Sequence, residues 1–180
     1  MPVFVKKFFG HLRTVSRHRR SVLKMSRKCG ILYQGLIHDL SKYSPSEFIP
    51  SVEYWTGTRS PLDVQIEHEG YSSAWLHHKG KNKHHFEYWH DPIHLDIPVK
   101  MPIKYVAEMF CDNVSASKTY LGNDYKDDSA LKYILSRPKT KELMHPETYA
   151  LFIRLLEMLA KKGEEKTCRY IACLVHRGKY

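Results

Sequence analysis

The sequence predicts an all-α fold, a single compact domain of about seven or eight packed helices. Along almost every long segment the apolar residues recur at alternating three- and four-residue spacing, which is the period of an amphipathic helix. No segment shows the strict alternation of a half-buried strand. At 180 residues, with 42% apolar and 27% charged residues, the chain has the size and composition of one folded soluble domain.

The N-terminal helix is predicted to run for about 25 residues and to end near Gly30. A second helix is predicted from about Ile31 to Lys42. The segment Ser44-Pro45-Ser46-Glu47 predicts the capped start of a short third helix, and Ser60-Pro61-Leu62-Asp63 predicts a fourth that runs towards His78. The apolar stripe of the first helix consists of Phe4, Phe8, His11, Val15, His18, Val22 and Met25.

Residues 80–102 are rich in His, Lys and Pro, and we expect a long ordered loop with one helical turn at Phe86 to Trp89. Loops of this length inside a compact domain usually carry function. A fifth helix is predicted behind Pro102, and three more helical patterns follow it. These patterns are Asp127 to Arg137, Pro146 to Lys162 and Glu164 to His176, with Gly163 separating the last two.

The chain is strongly basic, with 29 Lys and Arg against 19 Asp and Glu and a net charge of +10. This surplus favours anionic partners, namely nucleotides, other small phosphorylated molecules, nucleic acid or an acidic membrane surface. The four cysteines lack the paired spacing of a zinc site, so we expect reduced thiols. No apolar run approaches the roughly 20 residues that cross a bilayer, and no signal peptide is recognisable. We therefore predict a cytoplasmic protein with no membrane partner.

The clearest candidates for chemistry are His18 and the pair His38-Asp39. His18 lies on the apolar stripe of the first helix, where a histidine is either a hydrogen-bonded core residue or a metal ligand. Asp39 follows the apolar run from Ile31 to Ile37, and burying its charge costs free energy unless a cation or several donors meet it. The pair is therefore half of a metal site or a buried polar pair.

Two further groups are candidates for completing a metal site. Asp112 shares its helix face with Tyr105 and Met109, so it projects from a largely apolar stripe. The segment from Ala74 to His85 places four histidines within nine residues, and a glycine between them favours a break in the helix. This segment is either a source of metal ligands or a solvated basic loop. Its histidines are His77, His78, His84 and His85.

Together, His18, His38-Asp39 and a distant Asp112 resemble the HD superfamily of metal-dependent phosphohydrolases. Within that superfamily the chain looks like a small family of bacteria and their phages, some members of which are labelled catalase, although no haem-ligand context is present. The segments that carry the likeness are HRRSV, LIHDLSKYSPSEF, AWLHHKGKNKHHFEYW and EMFCDN. We therefore expect one HD-type domain over residues 1–180, with a motif-bearing core at about 11–120 and C-terminal helices at about 127–180 packed on it.

The resemblance implies one or two divalent transition metals, namely Mn, Fe, Co, Ni or Zn. The implied ligands are His18, His38, Asp39 and Asp112 for one ion, and Asp39, His78 and His85 for a second, with His77 and His84 as substitutes. Lys42 would hold an anionic group of the substrate, and Glu47 or Glu67 could supply a general base. The residues expected to bind substrate are Lys42, Lys79, Lys81, Lys83 and Asn82.

The predicted function is that of a metal-dependent phosphohydrolase or phosphodiesterase, which acts on a nucleotide or another small phosphorylated substrate through a metal-activated water. Related nucleotidases carry acids shortly after the HD pair, where this chain has Ser41 and Lys42, so an HD-type di-iron oxygenase is an alternative. A further alternative is a non-catalytic basic module that binds nucleic acid. Its phosphate-binding residues would be Arg13, Arg17, Arg20, Lys24 and Arg27.

Overall fold

The computed structural model describes residues 2–91, 93 and 95–180, and these residues form helices joined by turns and loops, with no β-strand among them. The prediction of an all-α fold is therefore confirmed. The α-helices are α1 (Val3–Lys28), α2 (Leu32–Ile37), α3 (Pro45–Glu53), α4 (Pro61–Glu69), α5 (Ser73–Lys81), α6 (Ile103–Leu121), α7 (Ser129–Leu135), α8 (Lys139–Leu143) and α9 (Pro146–Arg177).

The hydrophobic core lies where α6 packs against α1 and α9. Each of these helices presents one apolar stripe at three- or four-residue spacing, which is the geometry of a helix with one buried face. The main contributors are Val22 and Met25 of α1, Val106, Phe110 and Val114 of α6, and Phe152, Leu155 and Leu159 of α9. His18 precedes Val22 by one helical turn, and Asp112 lies between Phe110 and Val114. The core packing therefore places both residues at the α1–α6 interface.

The predicted second helix from Ile31 to Lys42 is wrong, because the chain breaks at His38-Asp39. Helix α2 ends at Ile37, and a 3-10 turn covers Leu40–Tyr43. Between them Asp39 has φ 53 and ψ 27, and it is the one non-glycine residue with positive φ in the described part of the chain. This left-handed conformation costs about 1–2 kcal/mol for most residues and less for Asp. The break turns the buried side chains of His38 and Asp39 towards the interior.

The predicted fourth helix is two helices. Helix α4 ends at Gly70, whose φ of 79 is accessible at little cost to a residue without Cβ. Helix α5 then begins behind Ser72, whose Oγ accepts a hydrogen bond from the backbone N–H of Trp75 at 3.0 Å. Helices α3 and α4 begin at the predicted places, but the side chains of Ser44 and Ser60 make no capping hydrogen bond.

The remaining predicted elements agree with the structure. A 3-10 turn covers Phe86–Trp89, and α6 begins directly after Pro102. Gly163, with φ 78 and ψ 169, interrupts α9 where the sequence predicts the end of one helix and the start of another. All four cysteines are free thiols, and three of them are buried. Among the described residues, no helix combines the length and the apolarity that crossing a membrane requires.

Helix α2 approaches α1 closely at Gly35. A Cβ atom placed on Gly35 would lie 2.6 Å from Cβ of Ser26 and 3.3 Å from Cα of Leu23. Two further bonds join the helices, since the Arg19 guanidinium donates to the carbonyl oxygens of Leu36 at 2.9 Å and of His38 at 2.7 Å. The glycine and the arginine together hold the break after α2 against the middle of α1.

We expect Gly35→Ala to lower the free energy of unfolding by about 1–3 kcal/mol, because the added methyl group overpacks the contact with Ser26. Denaturant unfolding followed by circular dichroism measures this change. Gly80→Ala is the matched control, since no atom lies within 4 Å of the corresponding Cβ in α5. That control should be neutral or stabilise by about 0.5–1 kcal/mol. Equal unfolding midpoints for the two variants would contradict the close approach.

Candidate metal centre

Four separate segments of the chain bring histidine and aspartate side chains to one place. Helix α1 supplies His18, the break after α2 supplies His38 and Asp39, and α6 supplies Asp112. The end of α5 and the loop behind it supply His78, His84 and His85. Asp39 is completely buried, and only Asp112 and His85 are partly exposed. The sequence-predicted ligands are therefore neighbours in space, with His77 as the exception discussed below.

The first group of potential ligand atoms surrounds one oxygen of Asp39. His38 Nε2 lies 3.3 Å from Asp39 Oδ2, and His18 Nε2 lies 3.8 Å from the same atom. Asp112 Oδ1 closes the group, at 3.0 Å from His18 Nε2 and 3.5 Å from His38 Nε2. Two imidazole nitrogens and two carboxylate oxygens are a mixed N/O set of the kind that transition metals bind.

The second group surrounds the other oxygen of Asp39. His78 Nε2 lies 3.3 Å from Asp39 Oδ1, and His84 Nε2 lies 3.5 Å from it. His85 also belongs to this group, all of whose potential ligand atoms lie within 4.8 Å of one another. The resemblance favoured His85 and kept His84 as a substitute, whereas the structure brings both histidines to Asp39. Asp39 thus stands between two groups, with one oxygen towards each.

Two buried glutamates orient the histidines from behind. Glu108 Oε1 accepts a hydrogen bond from Nδ1 of His38 at 3.0 Å and forms a close pair with Nδ1 of His84, also at 3.0 Å. Glu47 accepts bonds from Nδ1 of His78 and of His77, each at 2.7 Å. A carboxylate on Nδ1 keeps the proton there and leaves Nε2 free to bind an ion.

These bonds correct two sequence predictions. Glu47 was a candidate general base, but each of its oxygens already accepts a bond from a histidine. His77 was a substitute ligand, but its Nδ1 binds Glu47 and it is absent from both groups. Sequence reasoning missed Glu108. A signal was present, because Glu108 precedes Asp112 by one helical turn and so shares its face of α6.

The electrostatics of the cluster favour a bound cation. Burial by itself would raise the pKa of Asp39, but His38 and Lys42 hold that pKa well below its ordinary value. Burial by itself would lower the pKa of His38, but Asp39 and Asp112 raise it well above its ordinary value. A set of carboxylates that stabilises a charged histidine also stabilises a metal ion in its place, and binding such an ion releases the histidine proton.

Several buried ligand atoms have no hydrogen-bond partner among the described residues. They include three atoms of the second group, Oδ1 of Asp39 and Nε2 of His84 and His85. Burying unpaired polar atoms costs free energy, and a cation between them would satisfy all three at once. The residues present therefore fit an ion, and these buried His, Asp and Glu groups could hold one.

The cluster forms part of the wall of a cavity of about 980 Å³. Lys42 lies where the cluster meets the cavity, because it lines the cavity and its Nζ is 2.7 Å from Asp39 Oδ2. Sequence reasoning missed three other cationic side chains on the cavity wall, which are Arg59, Arg137 and Lys139. The cavity also contains acids, and Asp63 lies 3.7 Å from Arg137. It is a concave space with cations at several points of its wall, as in a site for an anionic small molecule.

The other predicted substrate-binding and catalytic residues lie off this wall. Lys79, Lys81 and Lys83 are absent from it; Lys81 and Lys83 are exposed, and Lys79 is half-buried. Asn82 donates through Nδ2 to Ser41 Oγ and to the His78 carbonyl oxygen, each at 2.8 Å, so it supports the loop. Glu67 is exposed and binds the Arg59 guanidinium. The structure therefore gives no support to these five residues in the predicted roles, which are Lys79, Lys81, Lys83, Asn82 and Glu67.

Comparison with known proteins gives one family. Residues 7–158 match a family described as a family of unknown function (DUF5662), and this range includes every residue of the two ligand groups. No curated protein and no solved structure matches the chain.

We expect Glu47→Gln to lower the affinity for Zn²⁺ by about 10- to 100-fold, because the neutral amide has one acceptor oxygen in place of the two that meet His77 and His78. Competition with a chromophoric chelator measures this affinity without reference to any activity. Glu67→Gln is the matched control, since it removes the same charge on the surface and should leave the affinity unchanged. An unchanged affinity in Glu47→Gln would contradict the orienting role of Glu47.

Proposed function

The chain belongs to the DUF5662 family, whose function is unknown, and we propose that it is a metal-dependent phosphohydrolase or phosphodiesterase of the HD type. Its substrate would be a nucleotide or another small phosphorylated molecule. The observation that carries the proposal is the position of Asp39, whose two carboxylate oxygens face two different groups of histidines. A carboxylate placed in this way would bridge two ions.

Six or seven side chains would hold the two ions. One ion would take His18, His38, Asp39 and Asp112, and the other would take Asp39 and His78 with His84, His85 or both. Bound divalent ions supply a water of lowered pKa and offset negative charge on phosphoryl oxygens. Two ions sharing one carboxylate can act on both the attacking and the leaving oxygen of a displacement at phosphorus.

The chain's own residues would bind and orient the substrate. Lys42 stands beside the ligands, where an ammonium group can hold a phosphoryl oxygen. Arg59, Arg137 and Lys139 line the same cavity, so a substrate with more than one negative charge would meet more than one cation. Apolar residues including Trp75, Phe86 and Phe152 complete the wall of the cavity. Neither Glu47 nor Glu67 is assigned as a general base.

One observation favours a second candidate, a di-iron oxygenase of the HD type. The side chains around Asp39 include more histidines than a single hydrolytic ion requires, and Ser41 and Lys42 stand shortly after His38-Asp39, where related nucleotidases carry acids. Imidazole and carboxylate ligands suit iron as well as Zn, Mn, Co or Ni. The identity of the bound metal and the nature of the product separate the two candidates.

We expect protein purified without added metal to contain about two equivalents of transition metal, as a dinuclear site requires. The double variant His38→Ala/Asp39→Ala should contain none. Elemental analysis measures both values. About one equivalent would restrict the site to the group of His18, His38, Asp39 and Asp112, and protein that binds no metal under any supply would overturn the proposal.

The activity test uses the wild-type protein loaded with Mn, Co, Ni, Zn or Fe and a panel of nucleotides and phosphodiesters. We expect phosphate or phosphomonoester release, and we expect Lys42→Met to lower kcat/KM by about 100-fold while the metal content is kept. Lys83→Met is the matched control, because Lys83 is exposed and lies off the cavity wall. Bound iron with oxygen consumption and no hydrolysis would establish the oxygenase instead.

A further inference from the structure

Helix α1 carries a stripe of cations that the proposed hydrolase does not use. Among its 26 residues none is Asp or Glu, and nine are Lys or Arg. Seven of the nine have exposed side chains, and we call the six of them that lie from Arg13 onwards the basic stripe: Arg13, Arg17, Arg20, Lys24, Arg27 and Lys28. Their three- and four-residue spacing places them on one face of the helix, over a length of about 22 Å.

The basic stripe is largely unneutralised. Lys28 pairs with Glu164, their atoms Nζ and Oε1 being 2.5 Å apart. None of the other five side chains lies within ion-pair distance of a carboxylate in the described part of the chain, although Arg17 donates to the Thr119 carbonyl oxygen at 3.0 Å. Five unpaired cations on one face make a locally positive potential that attracts a polyanion.

The C-terminal part of the stripe borders a concave surface. A groove of about 540 Å³ lies between α1, α6 and α9, and Lys24, Arg27 and Lys28 line it from α1. Lys118 of α6 faces them, and Glu164 lies between Lys28 and Lys118 at 2.5 Å from each. Four cations against one carboxylate leave the groove with a net positive charge of about three, which a phosphate backbone seated there would offset.

We propose that the basic stripe binds the phosphate backbone of double-stranded nucleic acid without reading its sequence. Four of the six side chains are arginines, whose planar guanidinium groups bind phosphate oxygens in pairs. The exposed apolar side chains of α1 are Val3, Phe4 and Phe9, all of which precede the stripe. Between Arg13 and Lys28 the described residues offer neither aromatic groups for stacking single-stranded bases nor apolar groups for inserting into a membrane.

This surface is separate from the metal centre. The residues of α1 that line the cavity are His11, Thr14, Val15 and His18, and no member of the basic stripe is among them. Nucleic-acid binding and hydrolysis of a small substrate therefore use opposite faces of one helix. Either of the two proposals can fail without the other.

The test is fluorescence anisotropy with a labelled duplex of arbitrary sequence and full-length protein. We expect wild-type binding to weaken by at least about 1,000-fold between about 50 and 200 mM salt, as six phosphate contacts require. The variant Arg20→Gln/Lys24→Gln/Arg27→Gln should bind about 100-fold more weakly at about 0.1 M salt, with a salt slope lower by about three. Circular dichroism and metal content of this variant should equal those of the wild type.

The matched control is Lys104→Gln/Lys126→Gln/Lys141→Gln, which removes the same charge from exposed lysines outside α1. We expect it to bind the duplex within about threefold of the wild type, since distant charges are screened at this ionic strength. Equal losses in the two triple variants would overturn the proposal by showing an effect of net charge alone. Wild-type protein that binds vesicles of anionic lipid but no duplex would also overturn it, and would make α1 a membrane-binding helix.

Discussion

The buried carboxylate of Asp39 is the feature on which the arrangement of the site depends. A charge with no exposed surface costs several kcal/mol unless opposite charges and hydrogen-bond donors surround it. Four segments that are distant in sequence supply those partners: α1, the 3-10 turn after α2, the end of α5 with its loop, and α6. Asp39 itself has left-handed backbone, at the break where the adjacent side chains of His38 and Asp39 are both buried. The rest of the fold can be described by how it holds these segments together.

Helix α1 makes most of the contacts that hold these four segments together. Its apolar face packs into the core and carries His18, its Arg19 satisfies the carbonyl oxygens left unpaired where α2 ends, and its Ser26 accepts the close approach of Gly35. Glu108 and Glu47 act on the site indirectly, since they fix the histidine rings that face Asp39. The bonds of Glu108 to His38 and of Glu47 to His78 are polar and buried, so losing one leaves its partner unsatisfied rather than merely less well packed.

The sequence predicted the ligands better than it predicted the backbone that presents them. Helical phase was enough to place His18 and Asp112 on buried stripes, because the period of a helix is independent of what packs on it. The break at His38-Asp39 could not be predicted, since the apolar pattern continues through Ile37 to Leu40. Only tertiary contacts offset the free-energy cost of the left-handed conformation at Asp39. The same limit applies to Glu47 and Glu67, which are alike in sequence. Glu47 points into the interior, where α3 packs against α5, whereas Glu67 points outwards from α4.

Lys42 connects the metal centre to the cavity. Its ammonium lies 2.7 Å from Asp39 Oδ2, the oxygen that would also bind the first ion of the proposed hydrolase. The ammonium and such an ion would share one carboxylate, and two positive charges that close would repel each other in a site of low dielectric constant. An anionic substrate group in the cavity would relieve that repulsion, because it would give the ammonium a second counter-charge. Substrate binding and ion binding would then favour each other through Lys42, and this is a role that an acidic residue at the same position could not perform.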